Sequence, residues 1–140
     1  MTIKLRSTLL VSLAFAALAL GSAPRAGAAD PPRVFELRTY TAAEGKIDAL
    51  NQRFREHTLG LFKKHGMEVI GFWSPRDPAS ANTLIYLLAF PSEQARATAW
   101  QAFGNDPEWK KVVAESEKDG KLTTKIESKM LAPTDYSPMK

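Results

Sequence analysis

Apolar alternation, helical stripes and turn residues predict an α+β chain of βαββαβ order, a four-stranded antiparallel sheet with both long helices on one face. Three observations carry this. Residues 84–90 (LIYLLAF) are seven apolar residues in a row, with Pro78 and Asn82 before them and Pro91 after, and they read as a short strand. Side chains alternate along a strand, so Leu84, Tyr86, Leu88 and Phe90 face one way and Ile85, Leu87 and Ala89 the other. A strand dry on both faces belongs inside a sheet with something packed on each side, and exposing its four-residue face would cost roughly 5–10 kcal/mol. Secondly, helical patterns fill the gap between the first two strand-like segments and the gap between the last two. Thirdly, the last segment carries Lys125, Glu127 and Lys129 on one side, which suits a sheet edge.

Taken in order, the chain opens on a leader. Lys4 and Arg6 make a positive start, residues 9–20 (LLVSLAFAALAL) an apolar core of twelve, and Ala26-Gly27-Ala28 a small-residue cleavage site. Twelve residues are too few to span a bilayer, and Pro24 and Arg25 interrupt any extension. Residues 1–29 are therefore expected to be a secretory signal peptide, and residues 30–140 one domain, secreted or periplasmic and free of the membrane after cleavage. The formal charge of +4 shrinks with the leader: three of the 19 basic residues (Lys4, Arg6, Arg25) lie there, leaving 16 against 15 acidic, a net of +1. That gives no footprint for nucleic acid. With no cysteine, disulfides, thiolate metal sites and cysteine nucleophiles are excluded.

Residues 34–40 (VFELRTY) alternate and form the first strand, with Phe35, Leu37 and Thr39 on one face and Val34, Glu36, Arg38 and Tyr40 on the other. Thr41 to Glu44 has capping-box spacing and opens a long helix near Gly45. Its stripe is Ile47, Leu50, Phe54 and Leu61, with Thr58 and His65 in the same arc and His57 at its edge; Lys63-Lys64-His65-Gly66 is a C-terminal signal. Residues 67–73 (MEVIGFW) make the second strand, and residues 74–82 turn the chain into the third as a hairpin. Ser92 caps a second helix through about Phe103, packed by Ala95, Ala99, Ala102 and Phe103, and Gly104-Asn105 breaks it. Asp106-Pro107 starts a short helix with Trp109, Val112 and Val113 inward, Gly120 ends it, residues 122–131 form the last strand, and a loose polar tail follows Pro133. This order is the split β-α-β pattern of the ferredoxin-like fold, which leaves one sheet face uncovered and predicts a homodimer through that face.

The residues Phe35-Glu36-Leu37-Arg38-Thr39-Tyr40-Thr41, Glu44-Gly45-Lys46, Gly71-Phe72-Trp73 and Asp106-Pro107-Glu108-Trp109 together resemble the NIPSNAP family of the dimeric α/β barrel superfamily. The resemblance spans residues 34–131. It implies a homodimer whose two sheets form a barrel, often with a small-molecule pocket beside the sheet. It implies little about activity, since the wider superfamily holds cofactor-free monooxygenases of aromatic polyketides and also haem-binding enzymes. The export signal departs from the better-known animal members, which are mitochondrial or vesicle-associated.

Both histidines lie on the first helix, eight residues apart, which separates them by about 12 Å and prevents them from sharing one metal. His65 reads as a helix-end cation; His57 is the candidate proton-transfer group or haem ligand, against a half-buried structural role. Glu36 and Arg38 share a face of a central strand, where a charge must be paired or wet, so Arg38 either closes an ion pair or holds an anionic ligand group. Tyr40 and Tyr86 can offer hydroxyls from neighbouring strands, and Phe72 and Trp73 can wall a cavity. No metal site or cofactor motif is present, and phosphate loops and serine-triad patterns are likewise missing. The expected ligand site is therefore Arg38, Tyr40, His57, Phe72, Trp73 and Tyr86, taking a small aromatic or apolar molecule, with Arg38 suited to any acidic group it carries. The alternatives are a cofactor-independent monooxygenase or isomerase using His57, and a non-catalytic structural or interaction module.

Overall fold

The computed structural model describes residues 33–140, so the leader lies outside the described residues. The elements are β1 (Val34–Ala42), α1 (Ile47–Arg53), a π-helical segment (Phe54–Thr58), α2 (Leu59–Lys64), β2 (Glu68–Trp73), β3 (Thr83–Phe90), α3 (Glu93–Asn105), α4 (Pro107–Ser116) and β4 (Thr123–Leu131), with a short 3-10 turn at Pro78–Ser80. The strands form one antiparallel sheet in the order β2-β3-β1-β4, the ferredoxin-like arrangement, with β3 and β1 central and β4 at an edge.

Register decides which residues meet the helices. Val34 lies opposite Phe90, Glu36 opposite Leu88, Arg38 opposite Tyr86 and Tyr40 opposite Leu84, all on the side that the helices cover. A bulge between Val69 and Gly71 keeps both Val69 and Phe72 on that side. The core there is aromatic: the Tyr86 ring lies 5.3 Å from those of Tyr40, Phe54 and Phe72 and 5.9 Å from that of Phe62. Residues 47–64 run as one long helix whose middle is π-helical, and Thr58 Oγ1 donates to the Arg53 carbonyl there at 3.3 Å. The widened turn puts Arg53, Phe54, Thr58, Leu61 and Phe62 inside together. The helix ends in a Schellman cap, with Gly66 at φ 71° and the Met67 amide donating to the Phe62 carbonyl at 2.9 Å.

Several expectations need correction. Thr41 to Glu44 is no capping box, because the Ala42 amide donates to the Asn82 carbonyl and the Ala43 amide to the Leu122 carbonyl, both at 2.9 Å. These bonds extend β1 to Ala42, and the chain reaches α1 through a left-handed turn at Gly45 (φ 68°). Gly104-Asn105 does not break α3, which runs on until Asp106 turns extended, and Ala102 is exposed while Ala99 and Phe103 carry the packing. The tail is not loose. Residues Ala132, Pro133, Thr134, Ser137 and Met139 fold beside Phe35 and Leu87 on the face away from the helices, around a cavity of about 270 Å³. The Ser137 amide closes a turn onto Thr134, and Phe35 is buried. The rest of that face stays open, with Leu37, Ile85 and Leu87 half-buried and Trp73 50% exposed. The Trp73 indole lies over Gly71, where an added Cβ would come within 2.9 Å of the ring.

Asp106 joins the two helical arms. One oxygen takes the α4 cap from the Glu108 amide at 2.8 Å, and the other meets His65 Nε2 at 2.6 Å and Lys64 Nζ at 2.8 Å. Lys64 and then His65 hold the carboxyl well below the usual carboxylate range. A depressed carboxyl stabilises the fold above the unfolded-state value, about 4, and loses that contribution as pH falls below it. Asp106→Asn should therefore melt below the native chain at neutral pH, and thermal unfolding followed from pH 7 to pH 3 should show the gap narrowing with acid.

Candidate functional site

The first strand sends two opposite charges into the core, and the fold closes a ring of donors around the negative one. Glu36 is completely buried. Its carboxylate accepts from Arg38 Nη1 at 2.7 Å, Arg96 Nε at 2.6 Å, Arg96 Nη2 at 2.9 Å, Trp100 Nε1 at 2.7 Å and Ser128 Oγ at 2.6 Å. Arg96 and Trp100 lie four residues apart, one turn of α3, and so share a face; Ser128 sits opposite Arg38 in the β1–β4 register. Burial pushes the Glu36 carboxyl up, but the bonds from Arg96, Ser128, Trp100 and Arg38 outweigh it and hold the pKa at about 2. At neutral pH it is a carboxylate.

Arg38 is placed by this carboxylate. Its guanidinium lies 4.3 Å from the Trp100 ring centre and donates through Nη2 to the Tyr40 hydroxyl at 3.3 Å. Burial opposes its charge, but Tyr40, Tyr86 and Glu36 offset this and raise its pKa, while Arg96 is raised chiefly by its bond to Glu36. Arg38 Nε is buried without a partner. The Tyr86 hydroxyl, on the paired position of β3, is buried and unpartnered as well. Burial, then Tyr40, pushes the Tyr86 phenol well above its ordinary value, so it is a neutral donor.

An apolar groove of about 180 Å³ lined by Asn51, Phe54, Arg55, Leu59, Phe72 and Leu84 reaches this aromatic core from the side of the π-helical segment. The rings of Phe54 and Phe72 stand between it and Tyr86. The structure thus gathers Arg38, Tyr40, Phe72 and Tyr86 on one side of the sheet. His57 and Trp73 do not join them. His57 is exposed and lines a separate groove of about 410 Å³ with Arg53, Val112, Ser116 and Lys118. Trp73 faces away from the helices.

Sequence reasoning missed Arg96, Trp100 and Ser128 as partners of Glu36, although the four-residue spacing of Arg96 and Trp100 behind the Ser92 cap was available as a signal. Among the described residues no group of His, Asp or Glu is disposed to hold a metal, and no helix is long and apolar enough to cross a membrane.

Comparison with known proteins bears on the whole of this arrangement. The NIPSNAP family model matches residues 35–138. The chain belongs to the NIPSNAP family. Among curated proteins none matches it significantly. A NIPSNAP family protein of unknown function from Agrobacterium tumefaciens is 25% identical, over 78% of this chain and 95% of that one, with a TM-score of 0.68. An uncharacterised NIPSNAP-like domain protein from Burkholderia xenovorans is 21% identical, over 76% and 89%, with a TM-score of 0.66. SnoaB, a cofactor-independent oxygenase from Streptomyces nogalater, is 13% identical over 77% of this chain and 99% of that one, with a TM-score of 0.52, and shares the fold alone.

Removing the charge of Glu36 leaves two guanidinium groups facing an amide. Glu36→Gln should cost about 3–5 kcal/mol at neutral pH, measured by denaturant unfolding. Because the folded value of about 2 lies below the reference 4.5, the carboxylate contributes fully above pH 4.5. The deficit of the variant should shrink as pH falls from there towards 2.

Proposed function

We propose that this NIPSNAP protein binds a small, mainly apolar or aromatic molecule between the sheet and the helices, at the Arg38–Tyr40–Tyr86 cluster. The observation that carries this reading is the Tyr86 hydroxyl, fully buried and unpartnered behind an apolar groove. A buried polar group without a partner costs stability, of order 1–3 kcal/mol, and marks a place where something else supplies the partner. The π-helical segment beside the groove supports the same reading, since such departures from the α-helix concentrate at functional sites. At about 180 Å³ the groove is smaller than a drug-sized pocket, so entry requires the Phe54 or Phe72 ring to swing aside.

The oxygenase or isomerase alternative needs a proton-transfer group at this cluster, and its candidate, His57, lines another groove. Binding without turnover therefore ranks first. The homodimer enters as part of the proposal: Leu37, Ile85, Leu87 and the half-exposed Trp73 leave an apolar strip on the helix-free face, which a second copy would cover. Export is likewise part of the proposal, and the leader sequence is what supports it.

A thermal-shift screen with aromatic and apolar metabolites should yield stabilising compounds that alter tryptophan emission. Leu59→Arg at the exposed groove mouth should weaken them at least about tenfold with folding intact, and a broad panel with no stabiliser would contradict the proposal. Light scattering should give a two-subunit mass for the native chain and a one-subunit mass for Ile85→Arg; a one-subunit native mass would rule out the dimer.

A further inference from the structure

The hydrogen-bond inventory of the buried cluster is uneven, and the unevenness has a sign. A carboxylate offers about four lone-pair positions. Glu36 already accepts five bonds from four residues, so it has no capacity left. The two atoms left unmatched, Arg38 Nε and the Tyr86 hydroxyl, both carry a proton to donate, on paired positions of β1 and β3. What is missing is an acceptor. The charges lean the same way: Glu36 faces both Arg38 and Arg96, one negative group against two positive ones. Exposed Glu93, a turn ahead of Arg96, adds a negative charge near that outer guanidinium.

From this donor excess we infer that the ligand presents a singly charged oxyanion, a carboxylate or an ionised phenol on an apolar or aromatic body, held jointly by Arg38 Nε and the Tyr86 hydroxyl. The inference rests on the ligand site proposed above and specifies its chemistry. Glu36 acts as a positioning residue: it occupies Arg38 Nη1 and fixes the guanidinium, so that Nε is the edge left for the ligand. The body of the ligand lies along Phe54, Phe72 and Leu84, and the charge goes inward to the paired donors.

The test uses two probes of equal shape, 2-naphthoate and 2-naphthamide, titrated into the purified protein and followed by melting temperature and by the emission of Trp100, which stacks on Arg38. Naphthoate should bind at least about tenfold more tightly than naphthamide, the difference a hydrogen bond to a charged group supplies. Tyr86→Phe should erase about that much of the naphthoate affinity, weaken naphthamide less because its carbonyl accepts only a neutral hydrogen bond, and melt no lower than the native chain, since it removes an unmatched hydroxyl. A third arm, 2-naphthol above and below its own ionisation, separates phenolate from carboxylate recognition. Equal binding of naphthoate and naphthamide overturns the oxyanion inference and leaves the ligand site standing. Binding of neither probe overturns the inference as well, and so does a Tyr86→Phe chain that melts lower, because a hydroxyl whose loss destabilises already has its partner.

Discussion

One buried carboxylate ties this fold together. Glu36 stands on a central strand with no access to water, and an isolated charge in such a place would cost several kcal/mol after relaxation. The chain meets that cost by bringing donors from three elements: Arg38 from β1, Arg96 and Trp100 from α3, and Ser128 from β4. Each bond fixes a relation that apolar packing alone leaves loose. The α3 bonds set the rotation of that helix over the sheet, and the Ser128 bond locks the register of an otherwise exposed edge strand. Non-directional burial gathers these elements, and the carboxylate selects one arrangement among those the aromatic core would tolerate.

The same constraint shapes the site. Because Glu36 holds Arg38 by one nitrogen and Tyr40 takes another, the guanidinium is left with Nε unmatched, and Tyr86, whose hydroxyl is unmatched as well, holds the paired position on β3. The sheet therefore has two distinct faces with two distinct tasks. Towards the helices it is aromatic with a charged centre; away from them an apolar strip of Leu37, Ile85, Leu87 and Trp73 runs beside the charged Glu127 and Lys129 of β4, with the C-terminal tail folded over the Phe35 and Leu87 end. The proposed ligand site lies on the first of these faces, and the apolar strip proposed to meet a second copy lies on the other.

Much of this was legible in the sequence, and the parts that were not share a cause. Strand order, the two-sided apolar run of β3 and the Asp106-Pro107 and Gly66 helix signals follow from local patterns, and the structure bears them out. The shared face of Glu36 and Arg38 followed from strand alternation, as did the choice between an ion pair and a ligand contact; the ion pair is present, and one nitrogen remains over. Arg96, Trp100 and Ser128 escaped because they are 60 to 92 residues from Glu36 and carry no periodicity of their own towards it. The π-helical segment also has no local signature, and it shifts His57 from the expected edge of the packing face to the solvent. The tail escaped because its polar composition conceals Met139 and Pro133, whose docking depends on a sheet face assembled from distant strands.

The central claim is that the Trp100 indole proton is held by a buried carboxylate that is ionised at neutral pH, and hydrogen exchange at that one proton tests it most directly. The account predicts that Trp100 Nε1–H exchanges only when the whole chain unfolds, with a protection free energy equal to that from denaturant, and that its resonance titrates near pH 2, where Glu36 takes up its proton. Exchange at the rate of an exposed indole, or titration at the ordinary carboxylate value, would contradict it.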